Sequence, residues 1–257
     1  MRPIEMDLSE LKPTEITCDL LTRNWSIFQL KKGHRFSADD LFTADLALRL
    51  APNAKKCLDL GAGIGTVGLL VLNGLPSAAT LTMIEAQRIS HQLACRTIAH
   101  NKLSSRVNAI CGDLRNDKVF EHLPKFPLIT GSPPYIPVGS GVMSPHPQRA
   151  ACRMELRGSI ADYALRAAQM LSDDGLFVVC FAGQDTRGEA AIKEAGLHLK
   201  LRQDVIFRAD LLPTITVLAA QKSPCEVNRI SPVVIRNAQG EFTDEYMAVR
   251  HRLGAPI

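Results

Sequence analysis

The chain has 257 residues, 46% of them hydrophobic and 5% aromatic, with a net charge of +4. That length buries a sizeable core, and the prior is one large α/β domain with small terminal appendages. The seven cysteines are odd in number and contain no C-x-x-C pair, which argues against a disulfide framework or a metal site; no run approaches the ~18 apolar residues of a membrane span.

The first fifteen residues, MRPIEMDLSELKPTE, interleave charge and proline and have no apolar leader stretch, which points to an intracellular, cytoplasmic protein; residues 1–36 form an N-terminal extension. They read as a small hairpin that holds Trp25 and Phe28 among the basic residues Arg23, Lys31, Lys32 and Arg35. Asp39–Leu50 has apolar residues at helical spacing, with Ser37 as its N-cap. From Lys56 onward, short apolar runs alternate with amphipathic segments. The strands fall at Lys56–Leu60, Thr80–Ile84, Val107–Cys111, Leu128–Thr130 and Leu176–Phe181, and helices at Thr66–Asn73, Arg88–Asn101, Ser159–Leu171 and Gly188–Ala195. Then LKLRQDVIFRAD and TITVLAAQK follow each other with no room for a crossover helix, so the last pair is antiparallel. The predicted fold is Rossmann-like: a mostly parallel seven-stranded sheet with an antiparallel closing strand and helices on both faces. It occupies residues 37–222, and 223–257 form an extension with one more apolar run and a short helical pattern.

CLDLGAGIGTVG sets a glycine-rich turn between the first strand and the first helix of the alternating region, where open parallel sheets place ligands. Two motifs overlap there. Gly63, Gly65 and Gly68 spell the dinucleotide pattern G-x-G-x-x-G, a weak signal alone, while Asp59, Gly61, Gly63 and Gly65 spell D-x-G-x-G-x-G. A carboxylate at the strand exit repels a pyrophosphate but suits a ligand carrying ammonium and sulfonium charge, which is S-adenosyl-L-methionine. Glu85, ending the second strand, can accept both ribose hydroxyls, and Asp113 in CGDL can accept from an adenine amino group. Each also has a plain structural role open to it: Asp59 as a cap partner, Glu85 as a charge at a helix N-terminus, Asp113 as a turn former.

The fourth strand runs out through GSPPYIP, Gly131 to Pro137. Pro-Pro can simply end a strand, since proline offers no N–H to a ladder. Beside a methyl donor it acquires a second use. The amino group of a base is a poor nucleophile because its lone pair is delocalised into the ring, and acceptors for its two N–H bonds localise that pair. Ser132 Oγ and the Pro133 carbonyl, held by Pro134, supply two acceptors, and Tyr135 supplies a ring to stack on a base swung out of its own stack. No strong general base is required, and none of the seven histidines sits in a catalytic motif.

DLGAGIG, the acidic end of the second strand, CGDL and SPPY, in this order, resemble the class I S-adenosylmethionine-dependent methyltransferases of the N6-adenine type. GHRFSADDLFTADLAL, RAACRMELRGSIADYALRAAQML and FTDEY extend the likeness to the bacterial tRNA adenine-N6 group, which modifies the adenosine beside the anticodon of a valine tRNA. The resemblance implies that Asp39 helps close the methionine end of the cofactor. It implies further that Asp59, Gly61, Gly63 and Gly65 line its methionine and ribose portion, Glu85 takes the ribose and Asp113 the adenine. Ser132 to Tyr135 then hold the target base. The partner expected is RNA, with tRNA first, and the protein is expected to act as a monomer with no metal and no membrane. One position departs from the pattern: the tRNA adenine enzymes usually carry Asn where this chain has Ser132, and serine there is familiar in DNA cytosine-N4 methyltransferases, which usually order their motifs the other way round.

Between Tyr135 and Ser159 lies a segment longer than the ~12–15 residues usual for an unstructured loop. It reads as a substrate-facing lid, with Arg149, Arg153 and Arg157 for phosphates and the first two on one helix face, or as a solvated connection. Two other functions stay open. One is methylation of a protein glutamine, whose carboxamide has the same N–H geometry and whose release-factor enzymes carry the similar NPPYIP; those usually have an N-terminal helical domain that ~36 residues cannot build. The other is a nucleotide-binding module without transfer activity.

Overall fold

The computed structural model describes residues 6–256. The first five residues of the predicted N-terminal extension, and Ile257, lie outside them. In chain order the elements are β1 (Ile16–Leu20), β2 (Ser26–Leu30), α1 (Ala38–Leu50), β3 (Lys56–Leu60), α2 (Thr66–Gly74), β4 (Thr80–Glu85), α3 (Arg88–His100), β5 (Val107–Cys111), β6 (Phe126–Gly131), α4 (Pro147–Arg153), α5 (Ile160–Met170), β7 (Leu171–Ala182), α6 (Arg187–Glu194), β8 (His198–Ile206), β9 (Ile215–Gln221), β10 (Asn228–Val234) and α7 (Asp244–Leu253).

The main sheet has the order β10-β8-β9-β7-β6-β3-β4-β5. Only β9 runs against its neighbours, antiparallel to both β7 and β8, while every other pair is parallel. The sheet therefore has eight strands where the sequence predicts seven. β10, from the C-terminal extension, pairs with β8 and becomes the outer strand on that side of the sheet. Its register shifts between Ile230 and Val233, around Pro232, as an edge strand tolerates.

Central strands such as β3 are buried from Cys57 to Leu60 because helices cover both faces. One core layer packs α1, α2, α3 and α7 on the sheet, and the other packs α5 and α6. α7 is tied to α1 by the fork of Arg252 on the buried Asp45 carboxylate, at 2.7 and 3.0 Å. β1 and β2 form the hairpin expected in the extension. It rests on α3, where the Phe28 N–H donates to Thr97 Oγ1 and the Asn101 side chain brackets Ser26. Among the described residues no helix is long and apolar enough to cross a membrane.

Candidate active site

β3 lies between β4 and β6, which take the chain to opposite sides of it, and this is the topological switch point where open sheets hold ligands. A cavity of about 530 Å³ opens at the carboxyl ends of these strands, within the range of cofactor pockets. Asp59, Gly61 and Gly63 from the β3 exit, Glu85 from β4, and Ser132 to Tyr135 after β6 all line it, and Asp39 and Asp40 join them from the first turn of α1. The capping box of Ser37 and Asp40 fixes that first turn.

The glycine turn is shaped by close approach. Gly61 has φ +58°, and a Cβ there would sit 1.7 Å from Tyr163 Oη, so a side chain would be strained and would have to displace the tyrosine. The Gly63 N–H donates to Glu85 Oε2 at 2.7 Å, and the Gln87 N–H to Oε1 at 2.6 Å, so the β4 carboxylate is oriented across the turn. Gly65 is set back from the cavity and caps α2 in a left-handed conformation. Asp113 is also set back. Gly112 and Leu114 line the cavity, but the Asp113 carboxylate holds the Arg115 guanidinium at 2.6 and 2.9 Å, which keeps its pKa low.

Burial dominates the electrostatics of the wall. It pushes Asp59 up to about 6, against the Thr130 and Gly68 hydrogen bonds that favour its ionised form. It raises Asp40 well above the carboxylate range, with the Asp39 charge adding to the rise, and raises Glu85 despite the Gln87 and Gly63 amides. Three carboxyl groups whose ionisation is costly, around one cavity, favour a cationic ligand that relieves the cost.

Ser132 Oγ lies 3.2 Å from the Sγ of buried Cys180, and Tyr135 Oη lies 3.1 Å from the same sulfur. Tyr135 Oη donates to Asp39 Oδ2 at 3.2 Å, and its ring meets Phe181 edge-on at 5.4 Å. The Tyr135 carbonyl accepts Arg187 Nη2 at 3.0 Å, and Arg187 Nη1 donates to Glu155 Oε1 at 2.7 Å. The Arg187 fork therefore joins the end of the Pro-Pro turn to the segment that follows it, a tie across 52 residues that no local pattern announces.

That following segment folds back. The Ile136 N–H donates to the Arg153 carbonyl, and the Glu155 N–H to the Ile136 carbonyl. α4 forms its second half, and Arg149 and Arg153 are both exposed on it. Arg153, Arg157 and Cys152 line the cavity, and Arg157 Nη1 donates to the Ala86 carbonyl. The Arg149 guanidinium reaches the Gly33 carbonyl at 3.1 Å, 116 residues away, next to exposed Lys31 and Lys32. Arg35 points elsewhere, paired with Asp19 at 3.0 Å. Arg149 thus ties α4 to the turn that follows Lys31 and Lys32, while Arg153 and Arg157 line the cavity. His34, read as an ordinary histidine, and Phe207, after β8, also line the cavity. Neither has a sequence signal, because each reaches the site only through tertiary packing.

The methyltransferase small domain family matches residues 32–140. A tRNA1(Val) (adenine(37)-N6)-methyltransferase of Escherichia coli (strain K12 / DH10B) is 28% identical over 199 residues, 76% of this chain and 78% of its own length. Among solved structures, a predicted O-methyltransferase from Agrobacterium tumefaciens aligns with a TM-score of 0.62 at 19% identity, over 85% of this chain and 98% of its own. A T. thermophilus 16S rRNA methyltransferase in complex with AdoMet and guanosine aligns at 0.57 and 19% identity, over 81% of this chain and 50% of its own. At that identity the structural likeness establishes the fold, a Rossmann-like α/β sheet. The family match runs from the end of β2 through the glycine turn to the Pro-Pro turn, and the chain is an S-adenosylmethionine-dependent methyltransferase.

Proposed function

We propose that the enzyme methylates the exocyclic N6 amino group of an adenine in RNA, with tRNA the first candidate and the cytoplasm its place of action. The observation that carries this reading is that Ser132 to Tyr135 line the same cavity as the Asp59 and Glu85 carboxylates. The 28% identical relative, named as a tRNA adenine-N6 enzyme, points the same way.

S-adenosylmethionine bound in this cavity supplies an electrophilic methyl group on a sulfonium. The residues present fit it. Asp39 and Asp59 offer negative charge to its cationic end, Glu85 offers acceptors for ribose hydroxyls, and glycine at 61 and 63 lets the backbone come close. Asp113, held by Arg115, would have to exchange that partner to take an adenine amino group.

The chain's own residues act on the acceptor. Ser132 Oγ and the Pro133 carbonyl accept the two N–H bonds of the amine, and the lone pair localises toward the methyl group. Pro134 has no N–H to compete for that carbonyl. Once the methyl has transferred, the amine is acidic enough to release its proton to water, so no strong base is needed. Exposed Lys31, Lys32, Arg149 and Arg153 supply positive charge for the RNA backbone at the rim.

The acceptor class is tested by offering methyl-labelled S-adenosylmethionine with unmodified tRNA, with duplex DNA, and with a glutamine-containing release-factor protein in parallel reactions. Label in the tRNA alone supports the reading; label in the protein or DNA alone replaces it.

A further inference from the structure

We propose that Cys180, buried in β7 behind the cavity wall, positions Ser132 by accepting a hydrogen bond from its hydroxyl, so that Ser132 meets an incoming N–H as an acceptor only. This rests on the reading of Ser132 above and adds a residue to it.

A serine hydroxyl is a rotor that donates as readily as it accepts. Turned outward, its hydrogen would oppose the N–H of a target amine. Some neighbour has to take that hydrogen for the side chain to act as a dedicated acceptor, and the contacts around Cys180 decide which neighbour it is.

Two hydroxyls besides Ser132 reach the sulfur, those of Tyr135 and Thr43. Both have already given up their hydrogen to Asp39. Tyr135 Oη donates to its carboxylate at 3.2 Å, and Thr43 Oγ1 donates to its main-chain carbonyl at 2.7 Å. Toward Cys180 they present lone pairs only. Directing the single S–H at one of them leaves the sulfur, 3.2 Å from Ser132, a lone pair that the Ser132 O–H can fill. Proton directions then run from Ser132 to Cys180, on to Tyr135 or Thr43, and end at Asp39. Burial, with the Asp39 charge, pushes the Cys180 thiol up to about 12, so it keeps the hydrogen this chain of bonds requires.

Sulfur is a weak acceptor, which suits a positioning residue: it sets the rotamer without drawing Ser132 out of line. No local sequence pattern marks Cys180, which stands 48 residues from Ser132 in a strand read as plain core.

The test measures kcat on unmodified tRNA, with S-adenosylmethionine affinity by equilibrium titration, for the parent, Cys180→Ala, Cys180→Ser, Ser132→Ala and the Ser132→Ala/Cys180→Ala double variant. Cys180→Ala is expected to lower kcat about tenfold, the scale of one hydrogen bond lost at the transition state, with cofactor affinity unchanged as proof of folding. Cys180→Ser keeps a donor and an acceptor and should recover kcat to within about threefold of the parent. In the Ser132→Ala background, Cys180→Ala should cost nothing further, an outcome a general packing role would not give. Full kcat in Cys180→Ala overturns the proposal, as does an equal loss in both backgrounds. If Ser132→Ala itself keeps full activity, the reading of Ser132 fails first; if Ser132→Ala is inactive and Cys180→Ala fully active, only the role of Cys180 fails.

Discussion

Asp59 Oδ2 accepts the Gly68 N–H at 2.9 Å while its Oδ1 accepts the Thr130 hydroxyl at 2.8 Å, so the carboxylate that ends β3 also anchors the first turn of α2. Both bonds favour ionisation, yet burial wins and the group titrates near 6. A cationic ligand binds the ionised form, so S-adenosylmethionine affinity should weaken as pH falls through about 6, by at most about tenfold per unit from this one group. Stability runs the other way. A folded pKa raised above the unfolded value of 3.8 gives a contribution that is present at low pH and lost as pH rises through about 6. Thermal unfolding from pH 4 to 7 and isothermal titration from pH 5 to 8, each against Asp59→Asn, separate the two effects. A parent affinity that is flat across that window would contradict the assignment of Asp59 to the cofactor.

Gly61→Ala should abolish cofactor binding and destabilise the fold. The backbone at φ +58° disfavours a side chain by about 1 to 3 kcal/mol, and the added methyl collides with Tyr163 Oη. Thermal unfolding of Gly61→Ala against the parent reads the loss, and a variant as stable as the parent would contradict it.

The rim formed by Lys31, Lys32 and Arg149 should bind RNA through phosphates. Lys32→Ala and Arg149→Ala are each expected to weaken tRNA binding and to reduce the salt slope of log K by about 1, without altering S-adenosylmethionine affinity. Filter binding across a salt series reads this out; unchanged slopes would move the RNA to another face.

Arg187 grips Tyr135, Glu155 and Asp185 with one planar guanidinium. Arg187→Lys cannot reproduce three directions from one ammonium, so it should lose kcat nearly as fully as Arg187→Ala, about tenfold, with cofactor affinity retained. Recovery of kcat by lysine would show that charge alone suffices there.

Much of this arrangement is legible in the amino-acid sequence, for a physical reason. β3 and β5 have the bounds expected from Lys56–Leu60 and Val107–Cys111, because short apolar runs bounded by turn residues admit one reading in an alternating α/β chain. The glycine turn and the Pro-Pro turn are local in sequence, and the sheet alone brings them to one cavity. Two features hide strand ends. Asp173, Asp174 and Gly175 interrupt the apolar run of β7, which nonetheless starts at Leu171, and Pro232 with its register shift breaks the alternation of β10. Cys180, Arg187 and His34 reach the site through contacts between distant segments and leave no periodic trace. The Asp113 partner, Arg115, is two residues away and could have been read as a competitor for that carboxylate.

The central claim concerns one atom, the N6 nitrogen of adenine in RNA, and nucleoside analysis tests it most directly. Purified enzyme, methyl-labelled S-adenosylmethionine and total tRNA from cells lacking the gene are combined, and the tRNA is digested to nucleosides and separated. The account predicts label that co-elutes with N6-methyladenosine and falls sharply, to a slow but measurable rate, with Ser132→Ala. Label in any other nucleoside, or none in RNA while S-adenosylmethionine still binds, would contradict it.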